Sequence, residues 1–157
     1  MSATNRGAVR KADDFYATPT WLTEAIVPHL KRYIPKRILE PAAGEGAITQ
    51  VLARVWPDAQ VVAGDIRTGQ DIRTHKYDGL FDLVITNPPF LLAVEFIQRG
   101  LPLRSKGGAL VLLMRLNILG GQERADFWRT HGPAKYASRR VVRHSLARAP
   151  TPPNTAG

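Results

Sequence analysis

The chain contains no cysteine, and that absence removes several chemistries at once. Disulfides, thiolate nucleophiles and cysteine-ligated zinc or iron–sulfur centres are all excluded. Long apolar runs are missing as well. The longest, such as residues 109–114 (ALVLLM), fall far short of the roughly 20 residues needed to span a bilayer. No opening segment combines a basic start with an apolar run, so a secretory signal is not expected and a cytoplasmic location is. Acidic residues are scarce in the last two-fifths of the chain. Residues 96–157 carry only Glu123 and Asp126 against 11 Lys+Arg, whereas residues 1–95 carry 11 of each sign. The whole net charge of +9 therefore lies in the C-terminal part. Such a footprint favours a polyanionic partner, nucleic acid before membrane because no basic amphipathic helix is evident. A solvated tail without a partner fits the same charge.

What the chain does have is ordinary globular composition. Its 157 residues are 44% hydrophobic and 22% charged, enough for one domain with a real core. Residues 1–12 read as a flexible arm, 13–145 as the folded domain, and 146–157 as a disordered tail, the last nine being APTPPNTAG.

Periodicity and punctuation set out the elements. Thr18 and Pro19 suit the N-cap and first position of a helix whose apolar stripe is Trp21, Leu22, Ala25, Ile26 and Leu30. Pro28 should kink that helix and Pro35 end it. Residues 37–40 (RILE), 60–63, 81–86 (FDLVIT) and 109–114 read as strands, the last buried on both faces. Residues 47–55 and 91–103 read as helices, with a short helix near 122–130 and a further basic strand at 137–145. Strands alternating with helices imply βαβ units on a parallel sheet, with ligands at the carboxyl ends of the strands.

Two turns stand at such ends. The first, residues 40–46 (EPAAGEG), joins a strand to a helix. Gly44 and Gly46 allow a tight bend and close approach of backbone to ligand, ahead of the free N–H groups of a helix start. No Gly-Lys-Ser/Thr follows, and Ile48 and Thr49 occupy the region where a dinucleotide fingerprint needs another glycine, so a ligand without phosphates fits better. Alone, the pair also suits an ordinary strand–helix turn. Asp65, about 20 residues on and after the second strand, can accept both hydroxyls of a ribose or simply serve a turn. Asp71 beside Ile72 suits an adenine amino group and ring face, or a turn cap.

The second turn is Asn87-Pro88-Pro89-Phe90. Two prolines fix two φ angles and remove two donors, leaving a stiff loop rich in carbonyls between an amide and an aromatic ring. An amine conjugated to a flat ring is a poor nucleophile. The Asn87 side-chain oxygen and the Pro88 carbonyl, both accepting from it, would draw its lone pair out of conjugation while the ring stacks on Phe90. A base in a duplex must first be flipped out, at a cost of a few kcal/mol. The bland alternative is a rigid turn ending a strand.

With these motifs in view, the sequence resembles the class I methyltransferases that use S-adenosylmethionine, and within them the amino-methyltransferases. EPAAGEG is similar to their cofactor turn, VVAGD with Asp65 to their second-strand carboxylate, and NPPF to their acceptor motif. Residues 13–20 (DDFYATPT) resemble the segment preceding the cofactor turn in several adenine-specific DNA methyltransferases. The resemblance covers roughly residues 13–115 and implies a Rossmann-like three-layer α/β sandwich with a mostly parallel sheet, shortened here at its C-terminal end. It implies cofactor contacts from Tyr16, Thr18, Pro19, Glu40, Ala42, Gly44, Gly46, Asp65 and Asp71, and acceptor roles for Asn87, Pro88, Pro89 and Phe90. The implied activity is methylation of an exocyclic amine, first of all adenine N6 in DNA, with S-adenosylmethionine as cofactor and the basic C-terminal part on the nucleic acid. Methylation of RNA, of the cytosine amine or of a protein glutamine amide, and a non-catalytic binding role, remain open at this level. The family's complete sheet has seven strands, and four or five can be placed here.

Overall fold

The computed structural model describes residues 17–114 and 116–132. Tyr16, the arm at 1–12, the strand expected at 137–145 and the tail at 146–157 lie outside the described residues.

The chain runs α1 (Thr20–Leu30), β1 (Arg37–Glu40), α2 (Ala47–Val55), β2 (Gln60–Ala63), β3 (Phe81–Thr86), α3 (Ala93–Gly100), β4 (Arg104–Leu112) and α4 (Ala125–His131). The four strands form one parallel sheet in the order β2-β1-β3-β4. Parallel strands need crossovers, and alternation of side chains then divides the core in two. Ile38, Leu83 and Ile85 face Leu30 of α1 and Ile48 and Leu52 of α2. Leu39, Phe81 and Val84 face the other way, toward Tyr77, Leu103 and Leu110. α3 closes that second face, since a Cβ at Gly100 would come within 3.0 Å of Leu110 and 3.8 Å of Val84. Helices thus cover both faces, an architecture compatible with a Rossmann-like fold.

Several local expectations change. α1 begins at Thr20 with Pro19 as its N-cap and no side-chain cap bond, so Thr18 does not cap it. The Thr18 hydroxyl is engaged elsewhere, as described below. α1 also continues through Pro28 to Leu30. β4 starts at Arg104, five residues before the apolar run, and ends at Leu112. Arg104 pairs with Phe81 and Ala109 with Leu83, so the intervening Ser105–Gly108 stretch bulges, with Gly107 at φ +83°. β4 is half-buried rather than buried on both faces, because among the described residues it pairs with β3 alone.

The amino ends of the strands are tied together by side chains that find full partners. Asp82 accepts from the backbone N–H groups of Lys36 (2.9 Å) and Arg37 (3.1 Å) and from the Ser105 hydroxyl (2.8 Å). Arg37 lies over the Phe81 ring and donates to the carbonyls of Asp78 and Leu80 and to Gln60. The Ser105 hydroxyl and the Arg37 N–H hold the Asp82 carboxyl below its ordinary range. Its contribution is therefore present at neutral pH and lost as pH falls through that lowered value. Asp82→Ala should destabilise the fold by about 2 kcal/mol, read as a lower denaturant midpoint with an unchanged slope.

Candidate functional site

At the carboxyl ends the pattern reverses. β1 sits between β2 and β3, so the chain leaves β1 toward one side for β2 and returns to its other side for β3. That is a topological switch point, where open parallel sheets form their ligand crevice. Leu39 pairs with Val84, and strands so paired lie about 4.8 Å apart. The glycine turn after Glu40 and the proline loop after Thr86 therefore emerge side by side.

Both strands also end in a buried side-chain oxygen without a hydrogen-bond partner among the described residues. Glu40 Oε2 and Thr86 Oγ1, each 1% exposed, accept and donate nothing among the described residues. Burial pushes the Glu40 carboxyl up to about 8, with the Thr49 backbone N–H opposing this and the Asp65 charge adding to it. Such groups are costly unless something completes them. Asp82 and Arg37 at the amino ends find partners, whereas two of the three buried unpartnered side-chain atoms among the described residues lie at these carboxyl ends, the third being Thr23 Oγ1 of α1.

The glycine turn is stitched to the end of β2. Gly64 N–H donates to the Glu40 carbonyl and Ala43 N–H to the Gly64 carbonyl, both at 2.8 Å. Gly44 N–H donates to Asp65 Oδ2 at 2.8 Å. Gly44 and Gly46 take φ of +55° and +83°, so a side chain at either would be strained. Gly46 leads directly into α2. Ala42 is half-buried in the bend. Glu40, Ala42, Gly44, Gly46 and Asp65 are thus brought together by backbone contacts as well as by topology.

The two aspartates are less free than their spacing alone suggests. Asp65 Oδ1 accepts from the Arg67 backbone N–H (2.8 Å) and guanidinium (3.0 Å). Partial burial draws this carboxyl upward, but the Arg67 and Gly44 N–H groups and the Arg67 charge outweigh it and hold the group below its ordinary range. Asp71 is clasped by Arg73, whose guanidinium reaches both oxygens at 2.6–3.0 Å. That bond holds the Asp71 carboxyl low. Any ligand at Asp71 must share the carboxylate with Arg73 or displace it.

The proline loop is fixed differently. Pro88 is buried, Pro89 exposed, and Phe90 is 38% exposed at the start of a tight turn, Phe90–Leu92. Leu92 N–H closes that turn on the Pro89 carbonyl. Asn87 Nδ2 donates to Thr18 Oγ1 at 3.0 Å, across 69 residues of sequence. Pro19, next to Thr18, is exposed. The leading segment therefore meets the proline loop.

Two contributors escape the sequence patterns. Tyr77 donates its hydroxyl to the Gln70 carbonyl, and a Cβ at Gly64 would fall only 2.0 Å from that oxygen. Burial pushes the Tyr77 phenol up to about 12, with the charges of Asp71 and Asp65 adding. Gly64 is thus a slot for Tyr77 as much as the end of a strand, and Gly64→Ala should displace the ring and lower stability by roughly 1–3 kcal/mol on thermal or denaturant unfolding. Thr86 is the other, signalled only as a polar residue ending an apolar strand. A cleft of about 410 Å³ is lined by Arg37, Gln60 and Phe81 at the strand amino ends and by Val62, Gln70 and Tyr77 beyond them.

Arg124 is bound to the carbonyls of Ile118 and Gly120, Arg104 to that of Leu101, and Arg129 to Asp126. Those three serve the fold; residues 133–157 lie outside the described residues. No described helix is long and apolar enough to cross a membrane. No protein-family model matches the chain, and no curated protein matches it significantly.

Proposed function

We propose that the chain is a class I methyltransferase that uses S-adenosylmethionine to methylate an exocyclic amine, adenine N6 in DNA first of all. One observation carries the reading: the glycine turn and the Asn-Pro-Pro-Phe loop leave hydrogen-bonded neighbours, β1 and β3, on either side of the switch point. Glu40 Oε2 and Thr86 Oγ1, buried and without a hydrogen-bond partner among the described residues at those same ends, fit a polar ligand seated between them. The bend of Gly44 and Gly46 admits close backbone approach, and Asp65 offers acceptor oxygens beside it.

S-adenosylmethionine, when bound, supplies an electrophilic methyl whose sulfur leaves as a neutral thioether. The chain's own part is positioning. Asn87 Oδ1 and the Pro88 carbonyl would accept hydrogen bonds from the target amine, making its lone pair available to carbon, and the methylated nitrogen would then lose its proton to water. Phe90 offers the flipped base a stacking face. The uneven charge of the chain favours nucleic acid over a protein amide as the bearer of that amine.

The test is to incubate the chain with methyl-labelled cofactor and, separately, DNA, RNA and a protein extract. Label recovered from DNA as N6-methyladenine is the expected result. Label in protein alone would move the acceptor to a glutamine amide. Stabilisation by cofactor without transfer to any polymer would replace the enzyme by a binding protein. Asp65→Ala should weaken cofactor binding at least tenfold, about 1.4 kcal/mol, by titration calorimetry. An unchanged dissociation constant would remove Asp65 from the site.

A further inference from the structure

Asparagine presents an oxygen and an NH2 group on one flat amide, and the two can exchange places by a half-turn of the side chain. Only the oxygen can accept from an amine; the NH2 group would meet it donor against donor. A residue in the position of Asn87 therefore needs its amide held one way round. Among the described residues the Thr18 hydroxyl is the side-chain group bonded to it, 3.0 Å from Nδ2. Thr18 is 8% exposed and lies in the segment just before α1, where it neither caps the helix nor contacts another side chain through a hydrogen bond among the described residues. With Nδ2 turned to Thr18, Oδ1 is left for a ligand.

We infer that Thr18 is a positioning residue, whose hydroxyl holds the Asn87 amide by its Nδ2 and so leaves the oxygen to face the acceptor amine. The inference rests on the acceptor reading above and departs from the cofactor role that the family resemblance gives Thr18. It also gives the leading segment a purpose in the chemical step. Thr18 acts through Asn87, not on the substrate.

Three measurements on Thr18→Val and Thr18→Ser, in the full chain, test it. Valine keeps the shape and removes the acceptor; serine keeps the acceptor. Thr18→Val should lower kcat roughly tenfold or more, with the cofactor dissociation constant and the KM for DNA within threefold of the wild type. Thr18→Ser should restore kcat to within threefold. In the free chain, the Asn87 side-chain amide protons should exchange slowly by NMR in the wild type and the serine variant, and quickly in the valine variant. An unchanged kcat in Thr18→Val, or a loss confined to cofactor binding, would overturn the inference. If the wild type transfers no methyl to any polymer, the acceptor reading fails. The amide exchange then still decides: equal exchange in wild type and Thr18→Val would overturn the contact itself, and slower exchange in the wild type would sustain it.

Discussion

Asn87→Ala is expected to cut methyl transfer by at least roughly a hundredfold while leaving the cofactor dissociation constant within threefold. The reason is positional. Removing one group that stabilises developing charge in a transition state costs on the order of a hundred- to a thousandfold in rate. Asn87 is half-buried on the β3 side of the switch point, whereas the glycine turn and Asp65 follow β1 and β2. A loss of rate without a loss of cofactor affinity would locate the defect at the acceptor. Retained turnover in Asn87→Ala, measured with saturating cofactor, would remove this residue from the chemistry.

The second large effect concerns Glu40 and pH. Its carboxyl is pushed up to about 8 in the folded chain, against about 4.5 when unfolded. The folded state therefore holds a proton that the unfolded state has released between those values. Stability from this group is fully present below about 4.5 and declines as pH rises through 8. Over that window the loss should reach several kcal/mol, an order of magnitude set by 1.36 kcal/mol for each unit of displacement. Glu40→Gln keeps the shape and a hydrogen-bonding oxygen but cannot ionise, so its unfolding free energy should lack this decline. Equal pH dependence in the two proteins, measured by denaturant unfolding from pH 5 to 9, would mean that Glu40 is charged and compensated in the fold.

Much of the site was legible in the sequence because its elements are short and sharply punctuated. The strands at 37–40, 60–63 and 81–86 and the helix at 47–55 have the bounds that their apolar spacing and flanking Gly, Asp and Pro residues predict. Once those strands are parallel and ordered β2-β1-β3, the meeting of the two turns follows from topology. Side-chain partnership was not legible. Thr18 before Pro19 looks like a helix cap on local chemistry, and only the tertiary structure brings Asn87 to it. Nothing in a loop sequence shows that the Arg73 guanidinium folds back on Asp71 with three contacts. β4 begins five residues before its apolar run because Arg104 pairs with Phe81 and the Ser105 hydroxyl bonds Asp82, contacts that carry no apolar signature.

The idea on which all this depends is that one crevice holds both the methyl donor and the amine. A bisubstrate compound, with the N6 of adenosine tethered to the sulfur position of the cofactor, measures that proximity by equilibrium titration. It should bind at least tenfold tighter than S-adenosylmethionine, and Asn87→Ala should abolish most of the gain. Binding no tighter than the cofactor half alone, or a gain untouched by Asn87→Ala, would contradict a shared site at the β1–β3 switch point.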